Sequence, residues 1–151
     1  MLRTCLDEAL KAALRNRDER ATSTLRLILA ALKDRDIAER GKGNPTGLSD
    51  EQILALLQSM IKQRQESIRL YRQGGREDLA KREAAEIAVI EQFMPPRMDQ
   101  RGMEEAVTAA IAELEAKTLK DMGRVMSLLK KRYAGQMDLA KAGAFVKGRL
   151  R

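Results

Sequence analysis

Aliphatic residues recur at the three- and four-residue spacing of an α-helix through most of the chain, and this pattern constrains the fold most. Leucine occupies positions 2, 6, 10 and 14, and a second set runs from Leu25 to Leu32. No stretch alternates apolar and polar residues as a half-buried strand would. Aromatic residues make up only 3% of the chain, so the core must be leucine, isoleucine, alanine and methionine. The sequence therefore predicts an all-α protein.

Polar residues that cap helix N-termini stand where several of these apolar patterns begin. Ser49 is followed three residues later by Gln52, which is the spacing of a capping box. Single capping residues are expected before four further helices. They are Asp18, Asp99, Thr118 and Asp138.

Glycine and proline end the helices and suggest a division of the chain. Helices are predicted to end at 41–47 (GKGNPTG), 73–75 (QGG) and 94–97 (MPPR). The paired prolines mark the predicted domain boundary. We expect an N-terminal domain of long helices at residues 1–95 and a small three-helix C-terminal domain at residues 96–151.

Positive charge is concentrated near the C-terminus. The net charge of the chain is +7. Residues 1–96 contribute +2 and residues 97–116 contribute −3, whereas residues 117–151 hold 10 cations and 2 anions and contribute +8. A local cationic region indicates contact with a polyanion better than a diffuse excess of lysine and arginine does.

Within this region, the segment from Leu119 to Tyr133 has two distinct faces when it is projected as a helix. Gly123 falls at the edge of the apolar face, where its missing Cβ predicts the close approach of another helix. The predicted core face consists of Leu119, Met122, Val125, Met126, Leu129 and Tyr133. The opposite face consists of Lys120, Arg124, Ser127 and Lys131.

The basic face has two interpretations that the sequence weighs about evenly. Lysine and arginine commonly occupy a solvated helix face that binds nothing. Against this, Asp121 is the one carboxylate near these cations, and its position suits the helix N-terminus. If the surface does bind nucleic acid, the residues expected to do so are Lys120, Arg124, Ser127, Lys130, Lys131, Arg132, Lys141 and Lys147.

The residue types that most enzymatic sites need are scarce. The chain has no histidine and one cysteine, Cys5, which excludes histidine-activated nucleophiles and nearly every zinc site. The carboxylates of Asp34, Asp36 and Glu39 have cations nearby, as at Arg35, and we interpret them as surface salt-bridge partners. No glycine loop has the spacing that binds phosphate. We therefore expect no catalytic residues, no metal and no cofactor.

The same features suggest a location. There is no signal-peptide pattern, and the longest apolar run, Leu27–Leu32, is too short to cross a bilayer. One cysteine cannot form an internal disulfide, which fits a reducing compartment. We expect a monomeric cytoplasmic protein with no membrane association.

Three separated segments resemble the GatB/YqeY family. Ser23–Ile37 resembles the second-helix signature of that family, Lys62–Pro96 is similar to its long central block, and Lys120–Asp138 is similar to its C-terminal motif. The resemblance extends from about residue 2 to residue 150. One departure lies in the basic face, since the family usually has a second glycine where this chain has Ser127.

The resemblance implies an all-helical fold with a C-terminal domain like the tail of the B subunit of the tRNA-dependent amidotransferase. That tail contacts the outer corner of tRNA and does not carry out the amide transfer. Related modules assist tRNA binding by a glutaminyl-tRNA synthetase. The family is also described as carbon–nitrogen ligases with glutamine as amido donor, a description that we attribute to the larger complex.

Three functional hypotheses follow. The leading one is a non-catalytic accessory module that binds the tRNA backbone through the basic C-terminal helix. An alternative is a component of glutamine-dependent amidation of aminoacyl-tRNA, with an amidotransferase or a synthetase as partner. A second alternative is a protein-interaction adaptor whose N-terminal domain is the partner surface.

Overall fold

The computed structural model describes residues Met1–Arg151 and contains seven α-helices, one short 3-10 turn and no strand. The prediction of an all-α fold is therefore confirmed. The helices are α1 (Leu2–Arg15), α2 (Glu19–Gly41), α3 (Asp50–Gln73), α4 (Glu77–Glu91), α5 (Gln100–Leu114), α6 (Met122–Arg132) and α7 (Leu139–Arg149), and the 3-10 turn is Leu119–Asp121. None of the helices has both the length and the apolar character required to cross a membrane.

The predicted polar caps begin four of these helices. Asp18 and Asp99 accept hydrogen bonds from amides three residues ahead, at 3.1 and 2.7 Å. Ser49 and Gln52 form the reciprocal capping box at the start of α3, and Asp138 caps α7. Each cap satisfies amide groups that the helix itself leaves unpaired, an effect worth about 1 kcal/mol.

The helices form two compact units, Met1–Met94 and Pro95–Arg151, and each unit has its own core. In the first unit, α3 and α4 are joined by a tight turn in which Gly75 has a φ of +72°, a conformation that glycine adopts without strain. Its largest fully buried side chains come from α1 to α4. They are Leu6, Leu25, Ile28, Ile53, Leu57 and Ile90.

The four-residue leucine repeat of α1 does not keep all of its leucines in the core. Leu6 is completely buried, whereas Leu14 is 48% exposed. Each four-residue step advances about 40° around a helix of 3.6 residues per turn, so a strict repeat winds out of the core. The spacing therefore predicts the helix correctly but does not predict which leucines are buried.

A buried carboxylate joins α1, α2 and the loop that precedes α3. Asp36 is only 7% exposed. Arg3 donates two hydrogen bonds to it at 2.6 and 2.5 Å, and the Leu48 amide donates a third at 2.9 Å. A Cβ at Gly47 would overlap the carboxylate, so this glycine lets the loop close over Asp36. The interpretation of Asp36 as a surface salt-bridge partner is therefore wrong.

A second ion-pair cluster crosses between α3 and α4. Arg64 donates a hydrogen bond to Glu86 at 2.9 Å and lies 4.0 Å from Glu83, and it also donates to the Met60 carbonyl. The guanidinium is largely shielded from solvent. The two carboxylates therefore help to hold the hairpin of α3 and α4 together.

The second unit packs α5, α6 and α7 around a separate core. The Met98 amide donates to the Gln136 carbonyl at 2.9 Å, which joins the segment before α5 to the turn before α7. The Arg151 amide donates to the Lys117 carbonyl at 3.2 Å and brings the C-terminus to the segment before α6. The most deeply buried side chains are Val107, Val125, Leu129, Met137, Ala142 and Val146.

Asp36→Ala is expected to lower the free energy of unfolding by about 2–3 kcal/mol. The change removes two charge-assisted hydrogen bonds and leaves the Leu48 amide without its partner. Urea denaturation followed by circular dichroism measures the effect. Asp34→Ala is the matched control because Asp34 is an exposed carboxylate on the same helix, and its effect should stay within about 0.5 kcal/mol. Equal effects of the two substitutions would contradict a structural role for Asp36.

Stability should also depend on pH through Asp36. The hydrogen bonds from Arg3, with a further one from the Leu48 amide, lower the pKa of Asp36 from 3.8 to about 2. Because the folded-state pKa lies below the unfolded-state value, this stabilisation is present above about pH 4 and is lost as the pH falls to about 2. Between pH 4 and pH 2 the free energy of unfolding of the native chain should fall by about 2 kcal/mol more than that of the Asp36→Asn variant. Urea titrations at both pH values measure this difference. Equal falls in the two proteins would show that the Asp36 carboxylate does not cause the pH dependence.

Candidate nucleic-acid interface

Burial of one side of α6 sets the direction in which its basic residues point. Val125 and Leu129 are completely buried, and Met122 and Met126 pack against the same core. Leu119 was predicted to belong to this face, but it is 49% exposed. The reason is that residues 119–121 form a 3-10 turn with about 120° per residue, so an α-helical projection misplaces Leu119.

The side of α6 that points away from the core is polar and exposed. Successive residues are about 100° apart around the helix axis. Burial of Val125 in the core therefore places the residues at 123, 124, 127, 130 and 131 on the solvent side. We call this surface the outer face of α6. It consists of Gly123, Arg124, Ser127, Lys130 and Lys131, all of which are exposed, and exposed Lys120 precedes it in the 3-10 turn.

Gly123 lies within the outer face and does not contact another helix. A Cβ built on Gly123 would have no neighbour within 4 Å, so the interpretation of this residue as a packing glycine is wrong. The glycine between packed helices is Gly143 on α7, where an added Cβ would lie 3.7 Å from Met126 Cε and 3.8 Å from Met122 Cε. The surface at Gly123 is therefore exposed backbone with open space above it.

Asp121 organises the start of α6 and also binds one of the candidate cations. It accepts hydrogen bonds from the amides of Lys117 and Thr118 at 3.0 and 3.2 Å, and from Arg124 at 2.8 Å. The Lys117 amide, then Arg124 and the Thr118 amide, lower the pKa of Asp121 to about 2. Arg124 is thus held at a defined position on the outer face by an ionised carboxylate.

Arg132 is engaged elsewhere. It donates two hydrogen bonds to Glu113 on α5, at 2.6 and 2.7 Å. This contact lowers the pKa of Glu113 and raises that of Arg132. Arg132 lies about 100° around the helix from Lys131, and its guanidinium reaches Glu113 on α5, so the structure separates it from the outer face of α6. The partner is 19 residues away, which local sequence spacing does not show.

The two candidate lysines of α7 lie on different sides of that helix. Lys147 is four residues after Gly143, the position that faces the methionines of α6, so Lys147 lies on the α6 side. Lys141 is two residues before Gly143 and therefore lies about 200° around α7 from it. The structure therefore brings Lys147 toward α6 and directs Lys141 away from it.

Two further cations join the region although the helical projection did not include them. Lys117 precedes the 3-10 turn, and the backbone hydrogen bond described above brings Arg151 next to it. Both residues are exposed. Lys117 contributes to the charge count of residues 117–151, but a projection that starts at Leu119 leaves it out. The proximity of Arg151 depends on the fold and has no local sequence pattern.

Most lysines of this region carry an unneutralised charge. Lys120, Lys130, Lys131 and Lys147 make no ion pair, in contrast to Arg124 and Arg132. No group of three or more histidine, cysteine, aspartate or glutamate side chains is close enough together to hold a metal ion. The surface is thus suited to attract a polyanion by charge.

These features describe a small all-helical protein whose second unit carries an exposed basic helix face. The chain matches the model of the Yqey-like protein family over residues 3–150. It therefore belongs to the YqeY-like family, as its three sequence segments indicated.

Curated fungal proteins are similar to this chain. "Altered inheritance of mitochondria protein 41, mitochondrial" from Pyrenophora tritici-repentis is 31% identical over 141 residues, which cover 90% of this chain and 75% of that protein. The protein of the same name from Eremothecium gossypii is 30% identical over 89 residues, covering 59% of this chain and 46% of that protein. An uncharacterized protein of Schizosaccharomyces pombe is 28% identical over 94 residues, which cover 62% of this chain and 72% of that protein.

The expectation of a cytoplasmic location is wrong in the light of these relatives. Both proteins from Pyrenophora tritici-repentis and Eremothecium gossypii are named as mitochondrial. The expectation relied on the single cysteine and on the lack of a signal-peptide pattern. A single cysteine excludes an internal disulfide in any compartment, so it does not identify the cytoplasm.

Gly123→Ala should stabilise the chain by about 0.5–1 kcal/mol. Alanine loses less backbone entropy than glycine in a helix, and the added methyl group meets no neighbouring atom. Thermal unfolding followed by circular dichroism measures the change. Gly47→Ala is the matched control and should destabilise, since Gly47 has a φ of +76° and no room for a Cβ. A loss of stability in Gly123→Ala would mean that the outer face is packed against something.

Proposed function

We propose that this chain is a non-catalytic accessory module that binds tRNA through the outer face of α6. The observation that carries the proposal is the set of exposed lysines without ion-pair partners around Gly123. They are Lys120, Lys130 and Lys131, with Lys147 on the adjacent side of α7.

The charge of the second unit supports a polyanionic ligand. Residues 95–151 hold 12 lysines and arginines and 7 aspartates and glutamates, a net charge of +5, whereas residues 1–94 have a net charge of +2. Five of the seven acidic residues lie before residue 117, so nearly all charged residues of the segment that forms α6 and α7 are basic. Neutralising phosphates with such cations releases counterions, and this supplies most of the affinity of backbone-directed RNA binding.

The shape of the outer face supports a close backbone contact. Gly123 exposes its main chain, and Arg124 and Ser127 flank it with a guanidinium and a hydroxyl that can donate to phosphate oxygens. A side chain at position 123 would hold a phosphate farther from the helix. Asp121 restrains Arg124 before any ligand arrives, which reduces the ordering cost of that contact.

The distribution of aromatic residues favours a folded RNA over a single strand. All four aromatic side chains of the chain, including Tyr133 and Phe145 of the second unit, are half-buried. Single-strand binding normally relies on exposed aromatic rings that stack with bases. Recognition by shape and by phosphate contacts, as expected for tRNA, needs no such rings.

Replacing Lys120, Arg124 and Lys131 together by alanine should weaken tRNA binding by about tenfold or more at low salt. Each lost phosphate contact should also lower the slope of log K against log salt by about 0.7–0.9. Filter binding of total tRNA at several salt concentrations measures both quantities.

The matched control removes three exposed cations of the first unit, by changing Arg35, Lys62 and Lys81 to alanine. Each triple variant loses three positive charges, so the two have the same net charge, and the control side chains make no ion pair. It should keep nearly native affinity. Equal losses in the two triple variants, or binding that is insensitive to salt, would refute the outer face as the tRNA site. Glutamine hydrolysis by the isolated chain would instead favour the amidation alternative.

A further inference from the structure

A groove lies between α1 and α2 in the first unit, and its floor reaches the core at Leu32. The groove is open to solvent along one side and has a volume of about 400 Å³. α2 runs back along α1 after a short turn, so the groove follows both helices. Its lining residues are Arg3 and Asp7 from α1, and Leu29, Leu32, Lys33, Asp36, Ile37 and Arg40 from α2.

Helical spacing extends this lining along both helices. On α1, the residues at positions 3, 7, 10 and 14 fall on one stripe, which adds the half-buried Leu10 and the exposed Leu14 to Arg3 and Asp7. On α2, positions 26, 29, 33, 37 and 40 fall on one stripe, which adds the exposed Arg26. The same two helix faces therefore continue beyond the residues that line the groove.

Aliphatic side chains lie in the groove, at Ile37 and Leu29, and on the continuing face of α1, at Leu14. Ile37 is 56% exposed and Leu14 is 48% exposed, and Leu29 is half-buried on the floor. Single exposed leucines are common on protein surfaces, but aliphatic side chains along a groove between two helices offer contacts for the apolar face of a third helix.

The charges at the rim give the groove a definite sign. Arg3 and Asp36 neutralise each other through their paired hydrogen bonds. Of the other charged lining residues, Asp7 is negative, and Lys33 and Arg40 are positive; none of the three makes an ion pair. The net charge of the lining is therefore +1, and Arg26 on the same stripe raises the excess of cations. A partner with acidic flanks complements this rim.

We propose that the groove between α1 and α2 docks an acidic amphipathic helix of a partner protein. Leucine-type side chains of the partner, spaced three or four residues apart, pack against Leu29, Ile37 and Leu14. Its carboxylates pair with Lys33 and Arg40. The backbone of both groove helices is internally hydrogen-bonded, so docking relies on side chains, which is the mode by which grooves accept a helix rather than a strand.

The test uses a fluorescein-labelled peptide of about 15 residues, long enough to span α1 as a helix. It carries leucines at helical positions i, i+3, i+7 and i+10, with glutamate beside them and alanine elsewhere. Fluorescence anisotropy measures its binding to the full chain. Ile37→Asp and Lys33→Glu should each weaken binding by about tenfold or more. A scrambled peptide of the same composition should not bind in a saturable way.

Two substitutions on α2 serve as matched controls. Leu27 is 50% exposed, close to the exposure of Ile37, but it lies outside the groove. Leu27→Asp should therefore leave peptide affinity within about twofold of the native value, and so should Arg35→Glu as the charge control. Because Ile37, Lys33 and both control residues are exposed, circular dichroism should show that all four variants fold.

Four results of the binding assays would overturn the proposal. They are no saturable binding to the native chain, equal losses in test and control variants, equal binding of the scrambled peptide, and loss of binding when Lys120, Arg124 and Lys131 are replaced instead. Dimerisation in analytical ultracentrifugation that Ile37→Asp abolishes would assign the groove to a second copy and also overturn it. Binding of tRNA should be unchanged in Ile37→Asp, which separates this test from that of the outer face of α6.

Discussion

Burial of Val125 and Leu129 is the constraint on which the candidate nucleic-acid interface of the second unit depends. Burying each side chain contributes about 1.5–3 kcal/mol, and together they set the rotation of α6 about its axis. Once that rotation is set, the spacing of the helix leaves Arg124, Ser127 and Lys131 no position except the solvent side. The core thus determines the placement of the cations without contacting them.

The two units present surfaces of different chemistry. The second unit has a basic helix face with open backbone at Gly123, which suits phosphate contacts. The first unit has a smaller net charge and is held by internal ion pairs, among which Asp36 is the most buried carboxylate. Its groove between α1 and α2 combines aliphatic side chains with a positive rim. The proposed tRNA binding and the proposed helix docking therefore use separate surfaces.

Local chemistry made most of the fold predictable from the sequence. Helical periodicity and the capping residues Asp18, Ser49 and Asp138 act within a few residues, so they are visible in the chain itself. The outer face of α6 was predictable for the same reason. Family membership was recognisable because three segments occur in order along the chain, and the family match over residues 3–150 agrees.

Interactions between distant residues were not predictable in this way. Arg3 and Asp36 are separated by 33 residues, and Arg132 and Glu113 by 19, so spacing along one helix cannot pair them. Gly123 looked like a packing residue because a glycine near an apolar face has that role in many helices. Only the positions of neighbouring helices show that Gly143 has this role and that Gly123 is open to solvent.

Crosslinking of a tRNA complex by ultraviolet light, followed by mass spectrometry of the peptides, tests the central claim most directly. Adducts are expected on peptides from residues 117–132, around Lys120, Gly123 and Lys131, and should disappear when the cations of that face are replaced. Adducts confined to residues 1–94, or to α5 around Glu104 and Glu105, would contradict it.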